Sequence, residues 1–75
     1  MTLGYKIRCR REELGLTQPE LAQATKLSQS SISQIEKNIF IPRDSTLIVL
    51  SSVLKIPLSE LISIKFKQIL KNNPL

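Results

Sequence analysis

The chain has no histidine and no tryptophan, and its only cysteine is Cys9. These absences exclude an intrachain disulfide, a zinc site of cysteine and histidine, and the catalytic triads and dyads that use histidine as a base. A lone cysteine is typical of a reducing cytosol, so we expect a cytoplasmic protein in which Cys9 is a packing residue. The most apolar stretch, residues 46–64, is interrupted by Lys55, Pro57 and Glu60, which argues against a membrane span.

The composition favours one small globular domain with a polyanionic partner. Apolar residues make up 41% of the 75 residues and charged residues 23%, which is typical of folded rather than disordered chains. Eleven lysines and arginines against six acidic residues give a net charge of +5, and a basic domain of this size favours nucleic acid. With no glycine-rich phosphate loop, we expect neither an enzyme nor a metal, cofactor or small-molecule substrate.

Helical spacing of the apolar residues predicts an all-α domain. Glycine and proline are few, and no alternating pattern long enough for a strand competes with the helical one. On helix one, Ile7 and Leu14 mark the face predicted to point inward, and Gly15 lies where a helix commonly ends. The predicted helices cover approximately residues 2–14, 18–25, 29–37, 44–54 and 58–71.

The second and third helices carry clear start signals. Thr17 and Glu20 have the spacing of a capping box, in which each side chain accepts a hydrogen bond from the backbone of the other residue. Ser28 is a second N-cap, which makes the helix between these two signals short. Two helices of about two turns each, joined by a short turn, predict a helix-turn-helix.

Helix three has a core face and a polar face. Ile32 and Ile35, three residues apart, are predicted to point at the core. The opposite face holds short or amide side chains and one lysine, namely Gln29, Ser30, Ser33, Gln34 and Lys37. Serine is a poor choice for a helix interior, whereas short polar side chains let a helix enter a major groove and glutamine can bind an adenine edge. A merely solvated face is the alternative interpretation.

These segments resemble a known family. Residues 7–22 and 27–38, with Pro42, Leu47 and Leu54 after them, are similar to the Cro and phage-repressor helix-turn-helix family, also called the xenobiotic-response-element type. The resemblance implies a compact five-helix, lambda-repressor-like DNA-binding domain over residues 1–75, which binds operator DNA as a twofold dimer and regulates transcription.

The resemblance also implies roles for individual residues. The family's base-reading positions are occupied by Gln29, Ser30, Ser33 and Gln34. The positions that hold the phosphate backbone are occupied by Gln18, Ser31, Lys37, Asn38 and Arg43.

Other positions of the family pattern carry structural expectations. Arg11 and Glu36 stand where an ion pair commonly joins helices one and three, and Ala22 stands where a small residue lets helices two and three approach. Lys26 and Asn38 replace glycines that adopt left-handed backbone, at a cost of about 1 kcal/mol for Lys26 and less for asparagine.

The last helix carries more apolar residues than a small core needs, and such a surplus usually marks an interface. We expect a homodimer through Ile62, Phe66, Ile69 and Leu70. The alternatives are that the helix folds back on its own core, or that it lies on a membrane surface with its lysines flanking the apolar face.

The sequence therefore predicts a sequence-specific DNA-binding transcriptional regulator, specifically a repressor. In this hypothesis helix three enters the major groove of a palindromic operator and the protein acts as a homodimer. The alternatives are an antitoxin, or a controller protein of a restriction–modification system, whose C-terminal helix binds a protein partner.

Overall fold

The computed structural model describes residues 1–72, and all regular secondary structure in that range is helical. The helices are α1 (Leu3–Glu13), α2 (Gln18–Thr25), α3 (Gln29–Glu36), α4 (Asp44–Leu54) and α5 (Leu58–Asn72). The predicted all-α, five-helix architecture is confirmed, and each boundary lies within one residue of its predicted position. None of the helices in this range is both long and apolar enough to cross a membrane.

The predicted start signals of α2 and α3 form as expected. Thr17 Oγ1 accepts a hydrogen bond of 3.2 Å from Glu20 N, and Glu20 Oε1 accepts one of 2.9 Å from Thr17 N. Ser28 Oγ accepts a 3.0 Å hydrogen bond from Ser31 N at the start of α3. These bonds satisfy backbone donors that would otherwise lack partners in the first helical turn.

Three helices end at non-glycine residues with left-handed backbone. Lys26 after α2 has φ of 61°, and Asn38 just beyond α3 has φ of 59°, as the sequence predicted. Lys55 after α4 has φ of 57°, and sequence reasoning did not identify it. Since a side chain disfavours this region, the lysines carry a strain of about 1–2 kcal/mol each.

The buried face of α1 differs from the predicted one. Leu3 and Ile7 are almost completely buried, but Leu14 is 38% exposed, so its assignment to the inner face is wrong. Leu14 lies just past the end of α1, and Arg11 occupies the last buried position of the helix instead. The core is completed by apolar residues of the other helices and the α4–α5 turn, namely Leu21, Ala22, Ile32, Ile35, Leu47, Leu50, Leu54, Ile56 and Leu61.

Close contact between α1 and α3 depends on Gly4. A Cβ atom at this position would lie 2.5 Å from the backbone oxygen of Ile35 and 2.6 Å from that of Glu36. Glycine therefore allows the start of α1 to rest directly on the end of α3, which fixes where the C-terminal end of α3 points.

Candidate nucleic-acid interface

The four predicted base-contacting residues lie on the outer face of α3. Ile32 is fully buried and Ile35 is 2% exposed, and this orientation of the helix turns the opposite face to solvent. Of the predicted residues, Gln29, Ser30 and Gln34 are exposed and Ser33 is half-buried. The face offers amide and hydroxyl groups that both donate and accept hydrogen bonds, which is the chemistry that base edges require.

A cleft of about 400 Å³ separates α3 from the start of α4. We call it the α3–α4 cleft; it is lined by Leu27, Ser31, Ile35, Phe40, Arg43, Ser45 and Thr46. Two residues predicted to bind phosphate, Ser31 and Arg43, therefore face the same cleft. Residue spacing does not indicate that they are close, because Ser31 lies on α3 and Arg43 is the N-cap residue of α4.

The start of α4 adds positive potential to the α3–α4 cleft. Arg43 is the exposed N-cap residue, and its side chain makes no capping hydrogen bond. The N–H groups of Thr46 and Leu47 bond to the Arg43 carbonyl oxygen, which leaves the N–H groups before them directed out of the helix end. A helix N-terminus beside an arginine suits a phosphate oxygen, and the opposing charge of Asp44 in the first turn is paired with Lys65.

Gln18 is partly engaged inside the protein. Its Nε2 donates a hydrogen bond of 3.1 Å to Glu36 Oε1, so one of its two amide hydrogens points inward. The other amide hydrogen, and the backbone N–H at the start of α2, are the groups of Gln18 left for a phosphate. The phosphate contact assigned to Gln18 stays a prediction.

A buried ion pair joins α1 to the end of α3. Arg11 Nε and Nη2 donate to Glu36 at 2.7 and 3.0 Å, and Arg11 Nη1 donates to the Leu16 carbonyl oxygen at 2.7 Å. The hydrogen bond to Glu36 raises the pKa of the Arg11 guanidinium above its usual value, although burial opposes this. The pairing implied by the family resemblance is present, and because both groups are buried it holds α3 against α1 and α2.

Just beyond the same C-terminal end of α3, Asn38 has a role that sequence reasoning missed. Its Oδ1 accepts hydrogen bonds from Gly4 N at 3.0 Å and Gln68 Nε2 at 3.3 Å, and its Nδ2 donates to Thr2 Oγ1 at 3.0 Å. Asn38 thus connects α3 to both α1 and α5. Lys37 beside it is exposed, and the phosphate contacts of both residues remain predictions.

The ion pairs leave an excess of positive charge. Within residues 1–72, four pairs form: Lys6–Glu60, Arg10–Glu13, Arg11–Glu36 and Lys65–Asp44. The cations outside these pairs are Arg8, Lys26, Lys37, Arg43, Lys55, Lys67 and Lys71. Most of the acidic groups are neutralised within the protein, so these cations set the potential that a polyanion meets.

The residues predicted to form a dimer surface fall into two groups. Ile62 packs against the core of its own chain and Ile69 is half-buried, whereas Phe66 is 56% exposed and Leu70 is 71% exposed. One side of α5 packs on α1 and α4, and a dimer contact through these four residues stays a prediction. Phe66 and Leu70, one turn apart, are the strongly exposed apolar positions of α5.

Comparisons with known proteins agree with this geometry. The family model described as "Helix-turn-helix" matches residues 7–61. The transcriptional regulator DicA of Escherichia coli K12 is 44% identical over 55 residues, which cover 73% of this chain and 41% of DicA. The immunity repressor of Bacillus phage phi105 is 37% identical over 62 residues, which cover 83% of this chain and 43% of the repressor. The chain thus spans less than half the length of these curated relatives.

A solved structure shares the fold. The structure of SinR, described as the master regulator for biofilm formation in complex with DNA, superposes with a TM-score of 0.76 at 31% sequence identity. The similarity covers 81% of this chain and 98% of the SinR chain.

Proposed function

The chain belongs to the helix-turn-helix family, and we propose that it represses transcription by binding a palindromic operator as a homodimer. The members of the family compared above are DNA-binding regulators rather than enzymes. In this proposal α3 enters the major groove and its outer face reads the base edges. Repression follows from occupancy of the operator, in the cytoplasm where the DNA lies.

The observation that carries the proposal is the combined placement of the polar and cationic groups around α3. The outer face offers Gln29 and Gln34 to the base edges. The α3–α4 cleft beside it holds Ser31 and Arg43 at an uncapped helix start. Base-reading groups flanked by phosphate-binding groups are the two components that specific DNA recognition needs.

Selection of bound sites from random DNA tests the proposal directly. We expect the selected sites to be palindromes whose half-sites are about 34 Å apart, which is one turn of DNA. Gln29→Ala and Gln34→Ala should each weaken binding to the selected site by about 1–3 kcal/mol and change binding to random DNA much less.

Gln23→Ala is the matched control, because Gln23 is an exposed glutamine of α2 outside the predicted interface. It should leave both affinities unchanged. Equal losses on selected and random DNA for the α3 variants would show that these glutamines do not carry specificity, and a failure to select any site would contradict the proposal itself.

For the homodimer, the supporting observation is the exposed apolar pair on α5. Ile48 of α4 is also 54% exposed, and it lies one turn after Asp44, whose carboxylate binds Lys65 at 2.7 Å. The Lys65–Asp44 pair holds α5 beside the first turn of α4, so we expect Ile48 to border the exposed apolar pair of α5. Burial of such a patch from two chains contributes several kcal/mol against the cost of association.

Sedimentation at micromolar concentration measures this association. Phe66→Glu should give a folded monomer that binds a full palindrome far more weakly than the parent protein does. Tyr5→Glu is the matched control, since Tyr5 is an aromatic residue with a similar exposure of 52% that belongs to α1 and not to the two helices of the patch. A parent protein that sediments as a monomer would refute the dimer, whereas copurification in a stable heterocomplex would favour the antitoxin or controller alternative.

A further inference from the structure

We propose that Lys67 and Lys71 of α5 bind the DNA phosphate backbone next to the C-terminal end of α3. The proposal rests on the proposed function, and it extends the DNA interface to a helix for which sequence reasoning predicted a dimer contact. Neither lysine was among the residues expected to contact DNA.

The two lysines line a cleft beside the end of α3. This cleft, here called the α1–α5 cleft, has a volume of about 390 Å³ and is lined by Met1, Thr2, Asn38, Lys67, Gln68 and Lys71. Lys67 and Lys71 are four residues apart, so their side chains leave α5 on the same side and one turn apart. Asn38 follows α3 within two residues, and it is the point at which the cleft meets the recognition helix.

The cleft is cationic and its positive charge is not neutralised internally. None of the lining residues is acidic, and neither lysine pairs with a carboxylate among residues 1–72. Glu60, the other charged residue of this side of α5, lies two turns away and is paired with Lys6. An anion would therefore meet two lysine charges at once.

The start of α1 does not supply the attraction. The N–H groups of Leu3, Gly4 and Tyr5 are bonded to Gln68 Oε1, Asn38 Oδ1 and Thr2 Oγ1 at 2.8, 3.0 and 3.2 Å. These bonds instead make the cleft rigid, because they hold α5 and the end of α3 at fixed positions around α1. Two lysines on such a framework lose less freedom on binding than they would on a mobile tail.

The dimensions of α3 explain why a DNA strand would reach this cleft. A helix of eight residues is about 12 Å long, which is similar to the width of the major groove. In an orientation of α3 across the groove, the sugar-phosphate strands therefore pass near both of its ends. The α3–α4 cleft runs along one side of α3, from Leu27 to Ile35. The α1–α5 cleft lies beyond the C-terminal end of α3, at Asn38.

The salt dependence of DNA binding tests the proposal. Binding of the full chain to its selected site is measured between about 50 and 200 mM salt for the parent protein, Lys67→Gln, Lys71→Gln and the double variant. Each lost phosphate contact should lower the slope of log affinity against log salt by about 0.9, so the fall in affinity over this range should shrink about 3.5-fold per contact.

Lys55→Gln is the matched control. Lys55 is exposed and pairs with no carboxylate of residues 1–72. It precedes the start of α5, whereas the cleft lies at Gln68, about 15 Å along the helix axis from Leu58. The Lys55→Gln substitution removes the same charge as each cleft variant, and it should leave the slope of log affinity against log salt unchanged. Sedimentation of each variant checks that assembly is the same, because Lys67 and Lys71 lie on the helix that carries the proposed dimer contact.

Ethylation interference adds a positional readout. One or two phosphates whose ethylation blocks binding of the parent protein should lose that effect with the double variant. If the parent protein shows a steep slope and the double variant retains both slope and footprint, the inference is overturned while the proposed function stands. A parent protein without salt-dependent DNA binding would refute the proposed function itself.

Two further outcomes would also overturn the inference. The first is a slope change with Lys55→Gln equal to that of the cleft variants, which would show an effect of net charge alone. The second is binding of inorganic phosphate by the parent protein but not by the double variant, with identical DNA slopes, which would make the cleft a site for a free anion.

Discussion

Removal of the Glu36 carboxylate should strongly destabilise the domain. The side chains of Arg11 and Glu36 are only 10% and 3% exposed. Glu36→Ala leaves the Arg11 guanidinium with its 2.7 Å contact to the Leu16 carbonyl oxygen and removes both other hydrogen bonds. Stranding one partner of a buried ion pair costs about 3–5 kcal/mol. A domain of 75 residues has a total stability of about 4–11 kcal/mol, so we expect a fall in Tm of at least about 12 °C.

Urea unfolding followed by circular dichroism measures this loss, with Glu13→Ala as the control. Glu13 pairs with Arg10 at 3.6 Å, but its side chain is 67% exposed, and an exposed pair contributes at most about 1 kcal/mol. The double change of Arg11 to methionine and Glu36 to leucine should recover part of the loss, because no charge is then left buried. If Glu36→Ala unfolds at the same urea concentration as Glu13→Ala, the reasoning from burial is refuted.

Three further changes test other parts of the fold. Gly4→Ala should destabilise the domain by about 1–3 kcal/mol, because the added Cβ displaces α1 from the Ile35 and Glu36 carbonyl oxygens; a thermal midpoint equal to that of the parent protein would contradict the close contact. Lys26→Gly should raise stability by at most about 1 kcal/mol in urea unfolding, since relief of left-handed strain is partly offset by the entropy of an unfolded glycine. Hydrogen bonds from Thr17 hold the pKa of the Glu20 carboxyl below its usual value. The ionised Glu20 carboxylate therefore stabilises the folded state fully above the pKa of the unfolded chain, and this stabilisation is lost as the pH falls through the lower pKa of the folded state. The stability difference between the parent protein and Glu20→Gln should therefore be constant near neutral pH and change below about pH 4; a difference that stays constant down to pH 2 would be inconsistent with this pairing.

Local signals in the sequence predicted the helices accurately. Capping depends on residues within a few positions of each other, so Thr17 with Glu20 indicates where α2 begins and the N-cap Ser28 indicates where α3 begins. The Arg11–Glu36 pair spans 25 residues and was recognised only through the family resemblance. Leu14 was assigned wrongly because apolar spacing does not reveal that a charged residue, Arg11, occupies a buried position.

The contacts that sequence reasoning missed join residues far apart in the chain. Asn38 was expected to adopt left-handed backbone, but its bonds to Gly4 and Gln68 span 34 and 30 residues. No periodicity or spacing indicates such contacts. The same limit applies to the apolar surplus of α5, since the sequence did not show that Ile62 would pack on the core while Phe66 would stay exposed.

The bonding of Gln68 has a consequence for operator geometry. Its Oε1 accepts from Leu3 N at 2.8 Å and its Nε2 donates to Asn38 at 3.3 Å, so a single side chain connects α5 to the end of α3 without an intervening loop. In the proposed dimer, the angle at which two α5 helices cross is therefore transmitted directly to the angle between the two α3 helices. Substitutions on the exposed face of α5 would then change which half-site spacing the protein prefers, although no base-reading residue is altered.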